Sequence, residues 1–183
     1  TYYLVVNLGL RSNRVIIFDE SGEKVAENSR QLQTRVSADR VEQDPEQWWT
    51  LTTELISSID KRIRDSVRYV TVTSSSCNLV CSDEAGQAVS DALLVSDRRS
   101  KHQAERFAQD EQLEYVFQQS NFSASPSYMF PKIYWLAENG PAVFNRTDVF
   151  GSSNSYLTQK FTTRSVTDYL DAEKFYYDRD TGY

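Results

Sequence analysis

Three short segments rich in β-branched and aromatic residues open the chain and constrain its fold more than any other feature. They span residues 2–8, 13–19 and 24–34, and two breaks of four residues separate them. Breaks this short are typical of hairpins, and the second one, Asp19-Glu20-Ser21-Gly22, has the residues of a tight turn. The opening therefore predicts a three-stranded antiparallel meander.

After the meander the apolar period changes to that of a helix. Asp44-Pro45 has the residues of a helix start, and Trp48, Leu51, Leu55, Ile59 and Ile63 follow at helical spacing. We expect this helix to end near Ser66. Two further strands are predicted at 69–74 and 78–82, and a short strand-like segment at 147–150. Helical segments are predicted at 98–119, divided into two short helices, at 128–139, and from 152 or 153 to about 161. This order predicts an α/β fold in one domain over 1–183, with a mixed five-stranded sheet and helices on both of its faces.

Charge and hydropathy exclude several partner classes. The 183 residues carry a net charge of -6 and no arginine- or lysine-rich stripe, so we expect no nucleic acid partner. The apolar runs are far shorter than the roughly 18 residues of a membrane span, and no secretory leader opens the chain, so we expect a cytoplasmic protein that does not contact a membrane. The two cysteines, Cys77 and Cys81, are expected to be buried and reduced. His102 is the single histidine, which excludes a multi-histidine metal site.

Three places carry candidate chemistry, and each has a purely structural alternative. The loop from Gly9 to Arg14 could hold a phosphate through its glycine, its serine and two arginines, or it could be a solvated hairpin. Asp97 could accept hydrogen bonds from a hydroxylated ligand or could cap the helix that follows it. Asp168 could act as a general base or be an ordinary loop or N-cap aspartate. The aromatic pairs at 48–49 and 134–135 could stack on a sugar, although their spacing favours a role in the core.

Four segments, taken together, resemble the N-terminal domain of the FGGY carbohydrate kinases. Residues 4–19 are similar to the family's apolar strand, D-x-G-T-T-x-x-R loop and second strand. Residues 41–49, VEQDPEQWW, are similar to its most specific segment, and residues 125–139 to its P-K-x-x-W-L helix. Residues 166–172, VTDYLDA, resemble the segment in which the family keeps its catalytic aspartate.

The resemblance implies a ribonuclease-H-like, actin-like ATPase domain that binds the sugar or polyol substrate of an ATP- and Mg²⁺-dependent kinase. It implies a catalytic role for Asp168. It also implies phosphate or nucleotide contacts at Asn7, Gly9, Arg11, Ser12 and Arg14, a weak metal contact at Asn7, and substrate contacts at Ser75, Ser76, Cys77, Asp97 and Asp168. In this family a second, C-terminal domain holds most of the ATP and Mg²⁺ site. The C-terminal domain is absent from this chain, so we expect the N-terminal domain alone to be inactive. The full-length protein is a candidate homodimer.

Several positions depart from the family pattern. Asn7 stands where the family has an aspartate associated with the metal, and Leu10 and Arg11 replace its hydroxylated pair. The segment 75–77 occupies the place of the substrate-gripping pairs Gln-His or Arg-Glu. These departures leave two hypotheses, an active carbohydrate kinase and a degenerate relative that binds a carbohydrate or a protein without phosphorylating it.

Overall fold

The computed structural model of the chain describes residues 1–120 and 123–177. Its strands are β1 (Tyr2–Leu8), β2 (Ser12–Phe18), β3 (Lys24–Gln31), β4 (Arg35–Ser37), β5 (Arg40–Gln43), β6 (Val67–Ser74), β7 (Leu79–Ser82), β8 (Ala92–Leu93) and β9 (Val149–Ser152). Its helices are α1 (Pro45–Ser57), α2 (Lys61–Arg64), α3 (Lys101–Ala108), α4 (Glu111–Ser120), α5 (Met129–Asn139), α6 (Pro141–Phe144), α7 (Ser153–Thr162) and α8 (Tyr169–Glu173). Among the described residues, no helix has both the length and the apolar composition that crossing a bilayer requires.

The predicted meander is confirmed and forms most of the first sheet. Strand β2 pairs antiparallel with both β1 and β3, and β6 pairs parallel with β1, which gives the strand order β3-β2-β1-β6. The turn between β2 and β3 has the expected chemistry, because the Asp19 side chain accepts hydrogen bonds from the main-chain N–H groups of Ser21 and Glu23. Gly22 completes the turn with a left-handed φ of 85°.

The predicted single five-stranded sheet is wrong in detail, since the meander sheet has four strands in the described part of the chain. The strand after β6, β7, leaves that sheet and joins a second one of order β4-β5-β8-β7-β9. The turn between β6 and β7 contains Cys77 at a left-handed φ of 64°, and it redirects the chain. Strands β4, β5 and β8 have three, four and two residues, and a period-2 pattern needs longer runs to be recognised.

One face of the first sheet carries the main core. Alternate residues of β1 and β2 point to this face, where α1 and α7 cover them. The buried residues here include Leu4, Val6, Leu8, Val15, Ile17, Trp48, Leu55, Tyr156 and Leu157. The opposite face of this sheet is more open, with Tyr3 and Tyr69 stacked at 5.6 Å and 39% and 65% exposed. Trp48 is thus a core residue and not a sugar platform. A second apolar cluster joins α5 to β7 and β8.

Helix α1 begins as predicted and ends early. The Asp44 side chain accepts a hydrogen bond from the main-chain N–H of Glu46 at 2.9 Å, with Pro45 in the first helical turn. The helix ends at Ser57 and does not continue to Ser66, because Asp60 caps a separate short helix, α2, through the N–H of Arg62. The predicted division of 98–119 into two helices is confirmed by α3 and α4.

A buried lysine holds three segments together next to the second sheet. Lys132 on α5 is fully buried, and its ammonium donates hydrogen bonds to the carbonyl oxygens of Cys77, Leu94 and Ser127 at 2.8, 2.8 and 3.0 Å. These bonds satisfy main-chain acceptors that would otherwise be costly to bury. Burial lowers the pKa of Lys132 from 10.5 to about 8.

The lowered pKa of Lys132 predicts a pH-dependent stability that Lys132→Met removes. In the folded chain the amine loses its proton near pH 8, whereas the unfolded chain keeps it to about pH 10.5. The unfolded chain therefore binds more protons between these values, and raising the pH favours the folded state. Relative to Lys132→Met, the parent should gain about 2 kcal/mol of unfolding free energy between about pH 7 and about pH 9.5.

Urea denaturation at a series of pH values measures this difference. Lys101→Met is the matched control, because Lys101 is exposed and pairs with Glu105 on the same helix. A parent–variant difference for Lys132→Met that stays constant with pH contradicts the prediction.

Candidate functional site

Two chain segments leave the first sheet side by side because β1 and β6 are parallel. Asn7 lies opposite Thr73 and Leu8 opposite Ser74, so the loop after β1 and the turn after β6 start from the same edge. The main-chain N–H of Ser75 donates to the carbonyl of Leu8 at 3.0 Å, which extends the pairing beyond the strands. The structure thus brings the predicted phosphate loop and the predicted substrate segment 75–77 together.

The start of α7 is bonded to this edge. The Ser153 hydroxyl donates to the Ser74 hydroxyl at 2.9 Å and contacts the Ser75 carbonyl at 3.2 Å. The Asn78 side chain donates to the same Ser75 carbonyl at 3.1 Å. The side chains of Ser153 and Asn78 therefore hold the turn after β6 in place. Ser75 and Ser76, which belong to this turn, are half-buried.

Asp168 is exposed, and each of its carboxylate oxygens accepts a hydrogen bond. It caps α8, with Oδ1 accepting from the N–H of Asp171 at 2.8 Å, and Oδ2 accepts from the side-chain amide of Asn154 at 2.8 Å. Asn154 follows Ser153 at the start of α7, so it connects Asp168 to the strand edge. Each carboxylate oxygen keeps a further lone pair that can accept a proton.

Asn154 is a site residue that sequence reasoning missed. In the sequence it lies within a run of small polar residues that only indicates a helix start, and its partner is 14 positions away. Asp171, the other carboxylate of this segment, is buried. Burial, together with the neighbouring charge of Asp168, raises the pKa of Asp171. Of the two carboxylates, Asp168 is the one that a substrate can reach.

The loop between β1 and β2 is a tight turn whose middle residues are exposed. The N–H of Gly9 donates to the carbonyl of Ser12 at 3.0 Å, and the side chains of Leu10 and Arg11 are exposed. Arg14 lies on the sheet face opposite the core, where its guanidinium donates to Asn7 Oδ1 at 3.1 Å. The five predicted phosphate residues are therefore neighbours, and both arginines are open to an anion.

The residues around Asn7 do not fit a Mg²⁺ site. The Asn7 oxygen is already bonded to a guanidinium, and Mg²⁺ in proteins is usually held by carboxylates. Within residues 1–120 and 123–177, no three His, Cys, Asp or Glu side chains are grouped so that they could hold a metal. A metal ion that accompanies a nucleotide would need ligands other than these.

Cys77 differs from its two serine neighbours. Its side chain is buried and its carbonyl accepts a hydrogen bond from Lys132, so Cys77 anchors the turn to the interior. Burial raises the pKa of the Cys77 thiol. Cys77 and Cys81 are both free, and burial raises the pKa of Cys81 to about 11.

Asp97 is completely buried and its hydrogen-bonding capacity is occupied. Its carboxylate accepts from the N–H of Val41 at 2.8 Å and from the Arg99 guanidinium at 2.7 Å. Arg99 also pairs with Glu42 at 2.6 Å and lies 5.0 Å from the centre of the Trp135 ring. This geometry favours a role in holding β5 to the turn before α3 over a direct contact with a ligand.

Comparison with known proteins gives one family over almost the whole chain. Residues 2–178 match the FGGY family of carbohydrate kinases, N-terminal domain. The chain is 26% identical over 174 residues to a xylulose kinase of Klebsiella pneumoniae, covering 93% of this chain and 35% of the relative. It is 24% identical over 184 residues to a glycerol kinase of Enterococcus casseliflavus, covering 94% and 36%. The chain thus spans about a third of the length of the curated relatives it matches.

A solved structure shows the same fold. The crystal structure of Plasmodium falciparum glycerol kinase with ADP matches at a TM-score of 0.88 and 20% identity, covering 100% of this chain and 38% of that one. At this identity the likeness establishes the fold alone, and it confirms the predicted actin-like α/β class.

Asp97→Asn tests whether Asp97 is a structural residue. The change keeps the shape of the side chain but leaves the buried Arg99 with Glu42 as its remaining carboxylate partner, and we expect a loss of about 3 kcal/mol in unfolding free energy. Asp91→Asn is the control, because Asp91 forms a surface ion pair with Arg35 and its loss should cost less than about 1 kcal/mol. Urea denaturation measures both. If Asp97→Asn unfolds like the parent and only sugar affinity falls, Asp97 is a ligand-binding residue.

Proposed function

This chain belongs to the FGGY family of carbohydrate kinases, and we propose that the protein transfers the terminal phosphate of ATP to a hydroxyl group of a sugar or polyol. The observation that carries this proposal is the placement of Asp168. Its exposed carboxylate is oriented by Asn154 and the N–H of Asp171, and Asn154 adjoins the strand edge from which the phosphate loop departs. A base, an anion-binding loop and hydroxyl-bearing side chains at one edge are the parts that phosphoryl transfer needs.

In the proposed reaction Asp168 accepts the proton of the substrate hydroxyl. The hydroxyl oxygen forms a bond to the γ-phosphorus while the bond from that phosphorus to the β–γ bridging oxygen breaks, and ADP leaves. Arg11 and Arg14 neutralise charge on the phosphoryl oxygens together with the Ser12 side chain, and Gly9, which has no side chain, lets the phosphoryl group approach the main chain closely. Ser75 and Ser76 are the candidates for hydrogen bonds to substrate hydroxyls. Cys77 and Asp97 support the site through the groups that they contact.

We further propose that residues outside this chain supply the adenosine site and the ligands of Mg²⁺. The support is the share of the relatives' length that the chain covers, about a third, and the engagement of Asn7 with Arg14. The isolated domain is then inactive, and activity requires the full-length protein, with the cytoplasm as its proposed location.

A second candidate function is a non-catalytic carbohydrate- or protein-binding module. The observation that favours it is the altered loop, in which Asn7 brings no negative charge and Leu10 replaces a hydroxylated residue with an apolar one that is 41% exposed. Calorimetric titration of the full-length protein with ATP and Mg²⁺ separates the two candidates. Binding accompanied by turnover excludes the module, and absence of binding excludes the kinase.

Asp168→Asn tests the proposed base. Asparagine is also a good N-cap, so α8 should persist while the proton acceptor is lost. We expect the turnover number of the full-length protein to fall by about 10²- to 10⁴-fold. ADP release is measured over a panel of polyols, aldoses and ketoses. The control is Asp65→Asn, since Asp65 is an exposed aspartate whose side chain pairs with Lys61. Equal turnover in Asp168→Asn and the parent rules out this base.

A further inference from the structure

Gln43 is a buried side-chain amide that donates two hydrogen bonds and accepts one. It ends β5, is 2% exposed, and donates through Nε2 to the carbonyl of Leu10 at 2.8 Å and to the Thr34 hydroxyl at 2.8 Å. Its Oε1 accepts from the indole N–H of Trp48 at 2.9 Å. The indole can only donate and the Leu10 carbonyl can only accept, so these two partners fix which way the amide faces.

The bond to Leu10 acts on the phosphate loop itself. Leu10 lies between Gly9 and Ser12, and the next carbonyl, that of Arg11, accepts from the N–H of Leu32 at 2.9 Å. Both carbonyls in the middle of the loop are thus bonded to the stretch of chain that follows β3. A trans peptide is planar, with its C=O and N–H pointing in opposite directions. Fixing the Leu10 carbonyl therefore directs the N–H of Arg11 away from Gln43.

The support behind Gln43 is rigid. Trp48 is 1% exposed in the core, and its carbonyl accepts from the side chain of Asn13 at 3.0 Å, while Thr52 accepts from the same amide at 2.7 Å. Helix α1 consequently holds both sides of the loop, through Gln43 at Leu10 and through Asn13 on β2. Leu10 has no side-chain donor, so at this point of the loop a phosphate can be bound only through main-chain N–H groups, and their direction matters.

We propose that Gln43 is a positioning residue that aims the main-chain N–H of Arg11 at the terminal phosphate of the nucleotide. Gln43 does not touch the nucleotide and acts through the Leu10 carbonyl. The inference rests on the proposed function, and it assigns to the first half of the VEQDP segment a role in the loop's contact with the γ-phosphate. Replacing Gln43 should weaken binding of that phosphate and leave the rest of the nucleotide unaffected.

The test compares two nucleotides that differ by the γ-phosphate. Calorimetry of the full-length protein gives the Kd of ADP and of β,γ-imido-ATP, a non-hydrolysable analogue, for the parent, Gln43→Met and Gln43→Glu. In its ionised form, the carboxylate of Gln43→Glu keeps the volume and the bond from Trp48 but cannot donate to the Leu10 carbonyl, and Gln43→Met has no donor in any state. In both variants we expect the ratio of the analogue Kd to the ADP Kd to rise about tenfold. Partial unfolding lowers the number of binding sites and leaves this ratio unchanged, so a merely structural role does not produce the effect.

The matched control is Gln47→Met. Gln47 is on the same stretch of chain and accepts a hydrogen bond from the N–H of Gln33, outside the phosphate loop. The ratio of the analogue Kd to the ADP Kd should therefore be the same in Gln47→Met as in the parent. An unchanged ratio in both Gln43 variants overturns the inference, while nucleotide binding and the loss of turnover in Asp168→Asn still support the proposed function. A parent protein that binds neither nucleotide overturns both.

Discussion

The parallel pairing of β1 with β6 determines where the candidate site forms. Parallel strands end at one edge, and the β1–β2 hairpin turns at that edge too, so the phosphate loop and the turn after β6 must be neighbours. Helix α1 makes this pairing possible by carrying the chain across the sheet from the edge strand β3 to the edge strand β6. The same helix packs Trp48 and Leu55 against the sheet. The connection from β3 to β6 therefore both builds the core and places the turn after β6 next to the phosphate loop.

Buried polar groups, more than apolar contacts, set the positions of the loops. Lys132 joins three carbonyls, Asp97 joins Arg99 to the N–H of Val41, and Gln43 joins Leu10, Thr34 and Trp48. Each of these groups is costly to bury unless its partners are in place, so each one penalises alternative loop positions. An apolar residue at the same places would fill the space without specifying which carbonyl faces it.

The sequence predicted what local patterns encode and missed what depends on contacts between distant residues. The meander and the start of α1 follow from β-branched runs and from Asp44-Pro45, and both are confirmed. The second sheet was missed because β8 has two residues and β4 three, too few to show a period. Asn154 carries no local signal, since its relevance comes from the fold of the chain that brings Asp168 to it. The burial of Asp97 depends in the same way on Val41, 56 positions earlier.

The hydrogen bond between Arg14 and Asn7 explains what an asparagine at position 7 does for the charge beside the phosphate loop. An aspartate at position 7 would neutralise the guanidinium that bonds to it, whereas an asparagine accepts the same bond and leaves the positive charge in place. Glu27 compensates little of this charge, because it lies 4.0 Å from Arg14 and forms a closer pair with Lys24 at 2.6 Å. In a chain of net charge -6, Arg14 thus keeps a local positive charge beside the loop. For the proposed phosphate contact, an asparagine at position 7 leaves the fixed charge of Arg14 free to meet the anion directly.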